Sequence, residues 1–117
     1  MEILESKQGN ATIIAPQVSR LDASNAAVLK NRFIDLISRD NYLIVLNMSQ
    51  IDFVDSTGLG ALLSGLKSLG NEGKLVLFGV SADVQKLFSI TRLDQRVFKL
   101  ASSKQEALQA LDENSDE

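Results

Sequence analysis

Two carboxylates and two hydroxyls crowd one short segment, Asp52-Phe53-Val54-Asp55-Ser56-Thr57-Gly58-Leu59-Gly60. Three kinds of chemistry deserve comparison there. Asp52 and Asp55 could move protons, but acid–base catalysis also needs a positioned base, an oxyanion donor set or a metal cluster, and the sequence offers none nearby. Gly58 and Gly60 could cradle a phosphate. A dinucleotide fingerprint, however, needs a third small residue where Leu63 stands, and the Gly-Lys-Ser/Thr of a P-loop is missing. The third chemistry belongs to Ser56. Its hydroxyl, or the carboxylate of Asp55, can serve as a plain helix N-cap. Alternatively it is a modifiable group, because a phosphate at that place meets free backbone N–H groups and the positive end of the helix dipole. The residues alone leave both readings open.

Composition narrows the field. The chain has no Cys and no His, which excludes thiol nucleophiles, disulfides, Ser-His-Asp triads and histidine-ligated metals. No catalytic or metal site built on cysteine or histidine is therefore expected. The formal charge of −3 and pI near 4.9 argue against direct nucleic-acid binding, which calls for a basic face. With 117 residues, 44% of them hydrophobic, the chain suits one core rather than two. Apolar runs such as Leu43 to Leu46 fall far short of the roughly 20 residues of a membrane span. The charged stretch Met1 to Asn10 lacks the apolar heart of a signal peptide and is not expected to be one.

Local patterns supply the elements that must hold this segment. Ile3 to Lys7 and Ala11 to Ala15 flank Gln8-Gly9-Asn10 and read as a hairpin, closed by Pro16. A first helix opens near Asp22 or Ser24, each able to cap it. Its stripe is Ala26, Leu29, Phe33, Leu36 and Ile37, and Arg39-Asp40-Asn41 ends it. Leu43 to Leu46 and Lys74 to Val80 read as strands covered on both faces. Between them a second helix spans about Thr57 to Leu69 and stops at Gly70 to Gly73, with Gly as the left-handed cap. A third starts near Ser81, with Val84, Leu87 and Phe88 inward. Val97 to Leu100 is a short strand. Ser103-Lys104-Gln105-Glu106 is a capping box for a last helix with Ala107, Leu108 and Leu111. The whole predicts a single layered α/β domain over residues 1–111, with a mixed, mostly parallel sheet of about five strands. Residues 112–117 form an acidic tail expected to fray.

The second helix is unusual. Leu59, Leu62, Leu63, Leu66 and Leu69 share one face at about 100° per residue. Opposite lie Thr57, Ala61, Ser64 and Ser68, flanked by Gly60 and Gly65, with Lys67 the only charge in the helix. Each glycine costs about 1 kcal/mol against alanine. A flat, uncharged face kept at that cost suits close approach by another molecule, or cover by another part of this chain. Ala61 and Ser64, opposite the leucines, are expected to accept arginine without loss of fold.

At this point Asp55-Ser56-Thr57-Gly58-Leu59-Gly60, following the apolar strand Leu43 to Met48, resembles the signature of STAS-domain anti-sigma factor antagonists. Leu21-Asp22, Gly73-Lys74-Leu75 and Leu87-Phe88 fall where that family has similar residues, so the resemblance covers nearly the whole chain. It implies a small cytoplasmic bacterial binding domain that is no enzyme and holds no cofactor. The partner is an anti-sigma factor that is also an ATP-dependent serine kinase; binding it frees a sigma factor. The kinase phosphorylates Ser56 and so releases the antagonist, and a PP2C-type serine phosphatase resets it. Together with the small-residue face of the second helix, the resemblance gives an expected partner-binding set of Asp22, Asp55, Ser56, Thr57, Gly58, Gly60, Ala61 and Ser64. The chain departs from the family at Ser19-Arg20, where Gly-Glu often stands, so a base replaces an acid beside Asp22. The same family also includes soluble subunits of transporters and of other bacterial signalling or secretion systems, which is the alternative reading.

Overall fold

A computed structural model describes residues 1–93 and 97–113 of the chain. Strands β1 (Ile3–Gln8) and β2 (Ala11–Pro16) form the expected hairpin, and the turn takes Gly9 at φ +61°. The main chain then runs through β3 (Arg20–Leu21), α1 (Ala26–Ser38), β4 (Leu43–Asn47), β5 (Phe53–Val54) and α2 (Ser56–Leu69). It ends with β6 (Lys74–Phe78), α3 (Ala82–Ile90), β7 (Lys99–Ala101) and α4 (Lys104–Glu113). The five-stranded sheet has the order β1-β2-β4-β6-β7. Only the β1–β2 pair is antiparallel; β2–β4, β4–β6 and β6–β7 are parallel.

Strand alternation places both faces of this sheet against helices. Ile44 and Leu46 of β4, with Leu75 and Leu77 of β6, join Leu29, Phe33 and Leu36 of α1, Leu62 and Leu69 of α2, and Val84 and Phe88 of α3 in the larger core. Val45 and Val76 point the other way and pack with Ala107, Ala110 and Leu111 of α4. The continuous apolar runs that predict doubly covered strands are thereby explained. Among the described residues no helix is long and apolar enough to cross a membrane.

Several boundaries differ from the sequence-based expectation. Neither Asp22 nor Ser24 caps α1. The N-cap is Asn25, whose side chain instead accepts from the Asp22 amide (3.0 Å) and donates to the Arg20 carbonyl (2.8 Å). The Asp22 carboxylate is occupied by the Ser24 amide and hydroxyl, at 3.0 and 2.6 Å. The last strand begins at Lys99 rather than Val97, since Phe98 turns inward and packs its ring 5.2 Å from that of Phe88. The capping box is modified. Ser103 Oγ accepts from the Glu106 amide, but the Glu106 carboxylate reaches Ser102, not Ser103. Helix α4 carries Asp112 and continues through Glu113, past the expected domain edge at 111. The rest of the expected acidic tail, 114–117, lies outside the described residues.

Candidate functional site

The segment singled out by its chemistry is held by a second, two-stranded sheet that has no counterpart in the sequence pattern. Strands β3 and β5 pair in parallel, with Arg20 beside Phe53 and Leu21 beside Val54. The inward residues Leu21 and Val54 are buried, whereas Phe53 stays 40% exposed. Further bonds run from the Asp52 amide to the Ser19 carbonyl (2.8 Å) and from the Asp55 amide to the Leu21 carbonyl (3.2 Å). This small sheet carries the chain from the end of the main sheet into the first turn of α2, so that turn is fixed on a scaffold rather than on a free loop.

Asp55 completes the attachment. One carboxylate oxygen accepts from the Gly58 amide at 2.8 Å, which makes Asp55 the N-cap of α2. The other accepts from the Ala23 amide at 3.2 Å and so ties α2 to the loop before α1. Ser56 is therefore not the cap. It is the first residue of α2, exposed like its neighbour Thr57. The first amides of a helix have no intrahelical acceptor, and Asp55 takes that of Gly58, so the end of α2 still presents donors beside the Ser56 hydroxyl. Urea unfolding checks this division of labour. Asp55→Ala is expected to lose about 1–2 kcal/mol, and Ser56→Ala to stay within about 0.5 kcal/mol of the parent.

The small-residue face of α2 divides into two. Ala61 is 5% exposed and Gly65 is buried under α1. A Cβ built on Gly65 would stand 2.5 Å from the Phe33 ring. Gly58 is buried as well, and its Cβ would meet the Leu21 carbonyl oxygen at 2.3 Å. Gly58 and Ala61, both expected as partner contacts, are thus packed within this chain, and the burial of Ala61 argues against the expectation that it accepts arginine without loss of fold. The reason is geometric: at about 100° per residue, the buried arc of α2 must serve both the sheet and α1, so it is wider than the leucine stripe alone. The face left to solvent is Thr57, Gly60, Lys67 and Ser68, with Ser64 half-buried. Around Gly60 an added Cβ would meet nothing within 4 Å.

Beside Ser56 lie the other charged groups of the site. Asp22 is half-buried, and hydrogen bonds from the Ser24 hydroxyl and amide hold its carboxyl below the ordinary aspartate range, with Arg20 a smaller contributor. Arg20 lays its guanidinium 4.1 Å from the centroid of the Phe53 ring and its Nε 3.5 Å from Asp22 Oδ2. Arg20 is thereby engaged with both. Sequence reasoning missed this stack and the β3–β5 pairing. Two-residue strands are too short to show a period, though Arg20-Leu21 and Phe53-Val54 do each read out-then-in.

These features define a layered α/β domain with a fixed helix start, an exposed serine and a bare helix face. The family profile of the STAS domain matches residues 4–107, and the chain belongs to that family. The anti-sigma-B factor antagonist of Listeria monocytogenes is 32% identical over 74 residues, which are 62% of this chain and 65% of that protein. The match thus spans just under two thirds of that relative's length. The crystal structure of an anti-sigma factor antagonist from Mycobacterium paratuberculosis superposes with a TM-score of 0.84 at 20% identity, covering 95% of this chain and 93% of that one. The Bacillus cell-fate determinant SpoIIAA in its phosphorylated form gives 0.70 at 20% identity over 93% of this chain and 98% of that chain. At those identities the two structures establish the fold.

Proposed function

We propose that this chain is an anti-sigma factor antagonist that works by binding and is switched by phosphorylation of Ser56. The observation that carries the reading is the exposed Ser56 at the first position of α2, with Asp55 doing the capping. A hydroxyl spared from capping is free to be modified without loss of the helix start. Its support is the STAS family membership and a sequence relative named as an anti-sigma-B factor antagonist. The partner proposed is an anti-sigma factor that is also an ATP-dependent serine kinase, and a PP2C-type phosphatase resets the switch. The chain itself is a non-catalytic binding module acting in the cytoplasm. The alternative, a subunit of a transporter or of another signalling or secretion system, has less support, because the sequence relative is named an antagonist.

In the unmodified state the kinase docks on the exposed face of α2 around Ser56, Thr57, Gly60 and Ser64, with Asp22 at its edge. The kinase then transfers the γ-phosphoryl group of ATP to Ser56 Oγ. The new P–O bond replaces the bond to ADP, and the hydroxyl proton leaves to a base of the kinase. The phosphate adds about −1.5 to −2 charges at neutral pH. In the free protein the helix N-terminus offsets this by up to about 2 kcal/mol, while Asp52 and Asp55, close in sequence, oppose it. In the complex the same group must be desolvated against a surface that fitted a hydroxyl. Release follows from that difference between bound and free states, with no refolding. In a nuclear magnetic resonance comparison of the two forms, shift changes should concentrate in residues 52–60 and their packing neighbours. Rearrangement across the five-stranded sheet would contradict the local mechanism.

The reading is tested by a pull-down from source lysate with and without ATP. Recovery of a serine kinase that modifies Ser56 supports it. Recovery of a transporter ATPase favours the alternative. Phosphate mainly on Thr57 or Ser64 contradicts the assignment of the site.

A further inference from the structure

A shallow groove of about 180 Å³ opens between β5 and α3, lined by Asp52, Phe53, Val54, Asp83, Val84 and Leu87. Its floor and walls are apolar: Val54 and Val84 are buried, Leu87 is half-buried, and the Phe53 ring stands open on one side. Its rim is acidic. Asp52 and Asp83 are both exposed, and among the described residues neither has an ion-pair partner. The nearby cation Arg20 lies over the Phe53 ring and pairs with Asp22. The groove is continuous with the switch site, because Asp52, Phe53 and Val54 run directly into Asp55 and Ser56.

We infer that this groove is a second, anchoring half of the surface that binds the kinase, and that it takes an apolar side chain flanked by lysine or arginine. The inference rests on the functional reading above and adds to it a place and a chemistry. An apolar slot with a half-exposed aromatic wall suits one aliphatic or aromatic anchor, the kind of contact that dominates interfaces. Two unpaired carboxylates at its mouth attract a basic flank and repel an acidic one, which gives selectivity among related kinases. Arg20 holds Phe53 from the side of β3, so the ring is set before the anchor arrives. The arrangement also separates two tasks: the face beside Ser56 senses phosphate, while the groove contributes affinity that phosphate does not touch.

The test uses the purified serine kinase recovered with this chain, titrated calorimetrically against four forms of the full chain. These are the unmodified chain, Phe53→Ala, the double variant Asp52→Lys/Asp83→Lys, and Gly60→Arg, which blocks the face of α2; circular dichroism checks each fold. Phe53→Ala is expected to weaken binding about 10- to 100-fold. The charge-reversed pair should weaken it about 10-fold or more and flatten its salt dependence. In spectra of the labelled chain, kinase should shift the amides of residues 52–54 and 83–87 together with those of 56–60. If both groove variants bind like the unmodified chain while Gly60→Arg does not bind, the groove is overturned and the switch at Ser56 stands. If the unmodified chain does not bind the kinase at all, both fall. Groove shifts that appear on concentrating the chain alone would assign the slot to a second copy and overturn the proposal.

Discussion

Gly60→Arg is expected to stabilise the protein and to weaken partner binding strongly, two effects of opposite sign from one substitution. Gly60 lies on the exposed face of α2, and an added side chain meets nothing there within 4 Å. Its φ is not in the left-handed region, so glycine is not required by the backbone. Arginine is a good helix former, and replacing a mid-helix glycine by it should gain up to about 1 kcal/mol. Nothing within the fold repays the glycine, which points to a surface that another molecule approaches closely. A long cation placed there should cost about 2–4 kcal/mol of binding, or roughly 30- to 1,000-fold in Kd. Ser64→Arg, one turn further on and half-buried, should lose binding similarly with little change in stability. Thermal unfolding and calorimetric titration read the two effects separately. A Gly60→Arg protein that binds normally would remove this face from the interface.

The largest effect on stability is expected at Gly58. Alanine improves helix propensity by about 1 kcal/mol, yet Gly58→Ala should destabilise the domain by about 2–3 kcal/mol, as overpacking against fixed neighbours does. Its Cβ falls 2.3 Å from the Leu21 carbonyl oxygen. That oxygen is backbone, already accepts from the Asp55 amide, and cannot swing aside. Relief requires α2 to pull away from β3, which lengthens the Asp55 bonds to Gly58 and Ala23. The melting temperature should drop by roughly 8–24 °C, at about 4–8 °C per kcal/mol for a domain near 100 residues. Because the first turn moves, phosphorylation of Ser56 should slow as well. A Gly58→Ala protein as stable as the parent would mean that the β3–α2 contact is looser than described.

Much of this fold was legible in the sequence, and the failures have physical causes. Hydrophobic period and turn residues located the hairpin, α1, α2, α3 and the two central strands within a few residues. Doubly apolar runs at Leu43 to Leu46 and Leu75 to Phe78 predicted strands covered on both sides, as the packing of α4 against Val45 and Val76 bears out. The cap of α1 was misread because Asp22 and Ser24 satisfy one another a turn before the helix. The small residues of α2 left two readings open, because they mark close approach without saying what approaches. At Gly58 it is this chain's own Leu21 and at Gly65 its Phe33; Ala61 is buried, and at Gly60 nothing of this chain approaches. The β3–β5 sheet and the Arg20–Phe53 stack join residues more than thirty positions apart, and local pattern carries no information about such pairing.

The central claim is that phosphate on Ser56 alone converts a binding surface into a non-binding one. It is tested most directly by titrating the purified kinase with the unmodified chain and with the same chain phosphorylated at Ser56, the site verified by peptide mass spectrometry. The account predicts that phosphorylation weakens binding by about 100-fold or more, near 3 kcal/mol, with the melting temperature of the free chain little changed. Ser56→Ala should bind persistently in the presence of ATP, and Ser56→Asp should be intermediate, since it carries less charge and bulk than phosphoserine. Equal affinity of the phosphorylated and unmodified forms would contradict the account.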